Sequence, residues 1–309
     1  MSNSIEILYF VQQKSPTYIQ SMEEELDIKG RTWGRCCEEA MTVLEEVIMY
    51  TFQQCVYYIS KCLYVSLPAL LECNPFQHEG RESWRPAPAL PDELRRVVLV
   101  YQAALDLLRQ YEVHPEVTSQ MFAYLFFFSN TLLFNQLLEK GQCSPSGVRL
   151  RACVRLLLEW LRGAGFEQLS RQFFAKLASA ADLLAMPGSQ LLQMSWSCLR
   201  GEFPALSPAQ LRRLLSHCQP RSRRCHPSPR DEVLESFDNH PPIVLPSGGF
   251  KVDLDVETLD DNIYRHLLYV RHFLWSLRSK SSLGADGMSV GLAKVVMLSW
   301  WDGGFPGSL

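Results

Sequence analysis

The run HCQPRSRRCH holds the residue types with the greatest chemical reach in this chain. His217, Cys218, Cys225 and His226 are all of kinds that zinc accepts as ligands. Their spacing weakens that chemistry. The members of each pair are adjacent, so both reach one ion only through a dedicated turn, and Arg221, Arg223 and Arg224 between the pairs would repel an added dication. The stretch therefore reads as a helix C-terminus running into a basic loop. A zinc-binding protein, or an enzyme built on these four residues, stands as the alternative. Arg221, Arg223, Arg224 and Arg230 could touch a phosphorylated or acidic partner, or an anionic membrane surface. A solvated charged loop is the plainer reading.

Carboxylates gather at Asp253, Asp255, Asp260 and Asp261, as a calcium site or an acid–base pair would require. The spacing of a calcium-binding loop is missing, however, and Asp260 with Asp261 stands where a helix N-terminus favours negative charge, so capping accounts for them. His266 and His272 have no cysteine or carboxylate at partner spacing and read as packing or surface residues. The chain has no phosphate-cradling glycine loop, no nucleophile elbow and no His-Glu-x-x-His helix. These observations count against an enzyme, and no catalytic residue, cofactor or metal is assigned.

The background composition is that of ordinary globular protein. The 309 residues are 47% apolar and 20% charged, with a formal net charge of −3, which gives no basic field for nucleic acid. Most of the ten cysteines sit inside helical patterns, as Cys55, Cys62 and Cys153 do, and no secretory leader opens the chain. A reducing cytosol is the expected setting. The most apolar run, Met121 to Leu138, is interrupted by Ser129, Asn130, Thr131, Asn135 and Gln136, so it reads as a buried helix and not as a membrane span.

That run is the centre around which the other elements are expected to pack. A polar turn, Gly141 to Gly147, leads to a second helix carrying Leu150, Cys153, Leu157, Trp160 and Leu161 on one side, ended by Gly163 and Gly165. Upstream, Ile5, Leu8 and Val11 predict a short helix after Ser2, Asn3 and Ser4, and its abrupt start points to a longer parent chain. From Trp33 to Tyr64 an inward stripe is predicted through Met41, Leu44, Val47, Ile48, Phe52, Cys55, Tyr58, Ile59 and Cys62, stopped by Pro68. Pro75, Pro86, Pro88 and Pro91 mark a surface loop. A helix with Leu94, Val97, Val98, Tyr101, Leu105 and Leu108 inward follows from Asp92.

Further helices are predicted over Glu167 to Met186, Leu191 to Arg200, and Pro208 to Cys218 behind a Ser207 cap. Residues 1–218 thus form one helical domain, and 219–258 a linker rich in Arg, Ser, Pro and His with one possible short strand at FKVDLDV. Residues 259–280 form a last helix packing on the bundle, and 281–309 a disordered tail.

The motifs YLFFFSNTLLFNQLLEKG, VRLRACVRLLLEWLRGAGF, FFAKLASAADLLAMP and LLQMSWSCLRGEFPALSPAQLRRLLSHCQ, in that order, resemble the dilute domain, the cargo-binding module of class V myosins. The likeness is greatest to the branch found in effectors of Rap-family GTPases. It implies an all-α fold, an elongated multi-helix bundle with a loop-rich insert, acting as a non-catalytic protein-interaction adaptor. The implied partners are adhesion, GTPase-signalling or trafficking proteins, and the implied role is in cell adhesion and migration. The implied location is cytoplasmic, with membrane- or microtubule-associated pools, peripheral membrane association and no transmembrane segment. In that branch a Ras-associating domain and a forkhead-associated-like region precede the dilute domain and a PDZ domain follows it. A chain of this length has room for none of them, and a truncated isoform competing for dilute-domain partners is the second expectation.

Overall fold

A helix apolar on every side has to be surrounded, and the order of elements shows by what. The computed structural model describes residues 1–25, 30–76, 90–140, 146–218 and 233–250, together with Arg265 and Tyr269. The first half holds four α-helices: α1 (Ser2–Glu25), α2 (Gly30–Ser66), α3 (Asp92–Gln110) and α4 (Pro115–Lys140). The second half holds α5 (Ser146–Gly163), α6 (Glu167–Phe173), α7 (Ala175–Ala185), α8 (Gly188–Gln193), α9 (Trp196–Glu202) and α10 (Pro208–Cys218). Two 3₁₀ turns, Leu67–Leu71 and Phe237–Asn239, complete the described residues, which contain no strand. The fold is all-α. The strand expected at FKVDLDV beyond Phe250, the helix expected over 259–280 (of which only Arg265 and Tyr269 are described, as helical) and the tail lie outside the described residues.

Contacts divide the chain into two units, the first comprising Met1–Gln53, Glu112–Val117 and Val244–Leu309. Here α1 buries Ile5, Leu8 and Val11, one to a turn, with Met1 buried just ahead of it. It is longer than the short helix expected from that spacing, although Pro16 removes one helical donor. The N–H of Phe250 donates to Glu6 Oε1 at 2.8 Å, and the Phe250 ring meets the buried His114 edge-on at 5.9 Å. His114 in turn accepts the N–H of Glu116 on Nδ1 at 3.1 Å, satisfying a free donor where α4 begins with Pro115.

The second unit comprises Gln54–Tyr111 and Thr118–Ile243. Its centre is aromatic. Tyr101 of α3, Phe122 and Phe126 of α4, Phe166 and Phe174 form one connected set, with Phe122 and Phe166 stacked at 4.3 Å and Tyr101 edge-on to Phe126 at 5.5 Å. Such pairs contribute roughly 0.5–1.5 kcal/mol each beyond area burial. Helix α5 packs on α7, α6, α3 and the Leu67–Leu71 turn, and α10 packs on α7.

The α5–α7 approach is close enough to dictate a residue. A Cβ on Gly147 would stand 2.1 Å from the carbonyl oxygen of Leu184, so only glycine fits in the first turn of α5. The expected polar turn therefore ends earlier, and Gly147 belongs to the helix. At the other end of α5, Gly165 adopts φ +93°, with its N–H bonded to Arg162 O and that of Phe166 bonded to Leu161 O. This is a Schellman stop, and it delivers the Phe166 ring to Phe122 and Phe126.

Two helices predicted as continuous are broken. Glu167 to Met186 divides at Phe174 into α6 and α7, and Leu191 to Arg200 divides into α8 and α9 where the Ser195 hydroxyl accepts the Cys198 N–H. Phe174 is fully buried and shared by both halves, and the break lets it enter the aromatic centre. The inward stripe on α2 also needs correction. Leu44, Ile48, Phe52, Val56, Ser60, Leu63 and Leu67 form the buried ladder, whereas Tyr58 and Cys62 face solvent, Tyr58 with 62% exposure. Nearly every second residue there is apolar or aromatic, so the pattern permits two neighbouring faces, and the mostly aliphatic one with Phe52 wins burial and takes Ser60 in with it.

Candidate functional site: a clamped segment on the central helix

α4 is long and apolar enough to cross a bilayer by length and composition alone, but 72% of its most apolar window is buried inside the protein. Its polar residues carry most of the specific interactions. Ser129 donates to Leu125 O at 2.7 Å and so receives the hydroxyl of the fully buried Tyr101 at 2.7 Å. Burial pushes the Tyr101 phenol well above its ordinary range. Asn130 Oδ1 accepts the N–H of Leu177 at 3.0 Å, capping the start of α7 from a neighbouring helix. Arg213 of α10 donates through Nε to Leu138 O at 3.0 Å, satisfying a last-turn carbonyl. The Thr131 hydroxyl is buried and has no hydrogen bond among the described residues.

Asn135 reaches further in sequence than any of these. Its Nδ2 donates to the carbonyl of Glu235 at 2.9 Å, and its Oδ1 accepts the Glu235 N–H at 2.8 Å. This pair of bonds reads backbone only, as a neighbouring β-strand would. Around it, Gln210 Nε2 donates to Val233 O at 3.1 Å and to Glu235 Oε1 at 2.6 Å, while Lys176 Nζ stands 2.5 Å from the same Oε1. Gln210 is itself buried and closes a capping box with Ser207, whose N–H it accepts and whose hydroxyl takes its own N–H.

Farther along, the Phe237 ring lies 5.6 Å from Phe128 and the His240 ring 5.3 Å from Tyr124. Residues 233–240 thus run against the direction of α4, over a face formed by Tyr124, Phe128 and Asn135. Val233 is buried, while Phe237 and His240 remain exposed on their outer sides. Composition marks this stretch as part of a linker, yet from Val233 it is fastened to three helices.

A second surface lies on α2, where Tyr57, Tyr58, Lys61, Tyr64 and Val65 are exposed, with the rings of Tyr57 and Tyr58 edge-to-face at 5.3 Å. The two buried thiols Cys73 and Cys153 interact with one another and with Glu93, and burial raises both above the ordinary thiol value of 9.0, Cys153 well above it. Such thiols pack and do not react.

Of the residues singled out by chemistry, His217 and Cys218 close α10, but their side chains, and all of Cys225, His226, Arg221, Arg223, Arg224 and Arg230, lie outside the described residues. The same holds for Asp253, Asp255, Asp260, Asp261, His266 and His272. Among the described residues no three His, Cys, Asp or Glu side chains are grouped to hold a metal. Sequence reasoning missed Asn135, Lys176 and Gln210 as a set. The available signal was weak: Asn135 is a polar residue in an apolar helix, and Gln210 stands at capping-box spacing from Ser207.

Comparison with known proteins bears on this architecture. The DIL domain profile matches residues 120–222, which include Tyr124, Phe128, Asn135, Lys176 and Gln210 and stop short of the segment they hold. The chain is 60% identical over 309 residues to the Ras-associating and dilute domain-containing protein of Homo sapiens, covering 92% of this chain and 29% of the relative. Identity is 51% to the protein of that name from Danio rerio, over 91% of this chain and 28% of the relative. To Ras-interacting protein 1 of Mus musculus it is 42%, over 91% of this chain and 31% of the relative. The chain therefore spans less than a third of the length of these relatives. The motifs stand in the expected order, and residues 120–222 of the chain match the DIL domain: the chain carries a DIL domain.

Proposed function

We propose that this chain is a non-catalytic adaptor module that docks protein partners in Ras- or Rap-type GTPase signalling, serving cell adhesion and migration. The observation that carries this reading is the DIL domain together with relatives named for Ras association and Ras interaction. The packing agrees with it: the buried polar side chains Ser129 and Asn130 fasten neighbouring helices, and the aromatic side chains Tyr57, Tyr58 and Tyr64 are left on the surface, where amphipathic rings suit protein contacts. The module works from the cytoplasm, with membrane- or microtubule-associated pools and peripheral attachment to membranes. Arg221, Arg223, Arg224 and Arg230 are its anionic-surface contacts, and it needs no cofactor.

Proximity labelling in cells with the full chain as bait, followed by reconstitution of each enriched candidate from purified components, tests this. The expected result is saturable binding of at least one GTPase-signalling, adhesion or trafficking component by folded chain. A chain with native helical content that reconstitutes with none of them contradicts the reading.

A further inference from the structure

We infer that the face of α4 between Tyr124 and Asn135, with Lys176 and Gln210 at its end, is a docking groove for an extended peptide that presents a carboxylate two residues before an aromatic side chain, and that residues 233–240 occupy it in cis. The inference rests on the adaptor reading and names where such a partner would sit.

Three observations carry it. The receiving residues all lie within the residues that match the DIL domain, whereas the occupant lies past them, so the groove is built inside the match and filled from outside it. Recognition is divided as in peptide grooves generally: Asn135 takes backbone N–H and C=O together, which any extended peptide offers, while side-chain selection is left to two subsites. One subsite is cationic and hydrogen-bonding, with Lys176 Nζ and Gln210 Nε2 converging on one oxygen of Glu235. The other is aromatic, with Phe128 under Phe237. The occupant is also lightly held, because beyond Val233 its side chains remain half-buried or exposed. A competing peptide therefore has little buried area to displace.

The probe is a fluorescein-labelled peptide with the sequence of residues 233–243, titrated by anisotropy into the full chain. Glu235→Ala with Phe237→Ala releases the cis segment without touching the groove. The peptide should bind this variant saturably, and at least tenfold more tightly than it binds the unmodified chain. Adding Lys176→Glu to the released variant should weaken binding at least tenfold, and a peptide carrying Glu235→Lys should restore it, which separates loss of recognition from loss of folding. The inference is overturned by a released variant with native circular dichroism that fails to bind, or by equal binding to the Lys176→Glu chain. Dimerisation of the unmodified chain that Glu235→Lys abolishes would also overturn it, by making a second copy the occupant. Failure here leaves capture of whole partner proteins unaffected, so the two readings are tested apart.

Discussion

At the scale of single residues, the side chains that interrupt the apolar run of α4 argued against a membrane span, and Ser129, Asn130 and Asn135 among them turn out to be fasteners. Their partners could not be read from the sequence, because Tyr101, Leu177 and Glu235 lie 28, 47 and 100 positions away. Ser129 and Tyr101 give an asymmetric prediction. Ser129→Ala strands the buried phenol of Tyr101 and should cost about 1–3 kcal/mol, whereas Tyr101→Phe leaves Ser129 bonded to Leu125 O and should cost about 1 kcal/mol. Urea unfolding of both variants checks the order, and an equal or reversed cost contradicts the assigned direction of donation. Tyr58 and Cys62 show the opposite limit. Their spacing allowed an inward position, but a tyrosine presents an apolar body and a polar tip, and only the competing ladder through Ile48, Phe52 and Val56 decides which face is buried.

At the scale of elements, the helices with strong periodicity or clear stop signals, α3, α5 and α10, begin and end close to where the sequence places them, whereas α4 starts at Pro115, ahead of the apolar run from Met121. The break at Phe174 carries no proline or glycine, so no local signal marks it. Gly147 was visible as a residue but not as a contact, since its reason lies in the carbonyl of Leu184 on another helix. Gly147→Ala should therefore cost more than Gly165→Ala. The first forces backbone apart, at about 3 kcal/mol or more, while the second imposes only a left-handed conformation, at about 1–2 kcal/mol. Melting temperatures of the two variants rank them.

The junction of the Leu67–Leu71 turn, α3 and α5 also makes stability sensitive to alkali. Burial raises the folded-state values of Cys73 and Cys153 above the ordinary 9.0, and that of Tyr101 above the ordinary 10.0, so the fold favours their protonated forms. Their contribution is complete below pH 9 and is lost progressively as pH rises through and beyond 9 for the thiols and 10 for the phenol. Unfolding free energy should fall between pH 8.5 and 11, and a flat profile over that range would contradict the burial of these groups.

At the scale of the whole molecule, the described residues form an all-α scaffold around α4. The all-α class and the family order of motifs were legible from sequence, because both rest on patterns that run along the chain. The groove was not legible, because it is assembled from α4, α7 and α10 and filled by a short segment, VLESFDNH, without helical periodicity. The central claim is that α4 is the fixed core of the second unit and that residues 233–240 are a separable strap laid on it. Native-state hydrogen–deuterium exchange on the full chain tests this most directly. The account predicts that amides of α4 between residues 121 and 138 exchange only through global unfolding, while the Glu235 amide exchanges through a local opening at least a hundredfold faster. Exchange of Glu235 at the same rate as the centre of α4 would make the strap an inseparable part of the core. Exchange of α4 as fast as that of α8 would remove it from the centre.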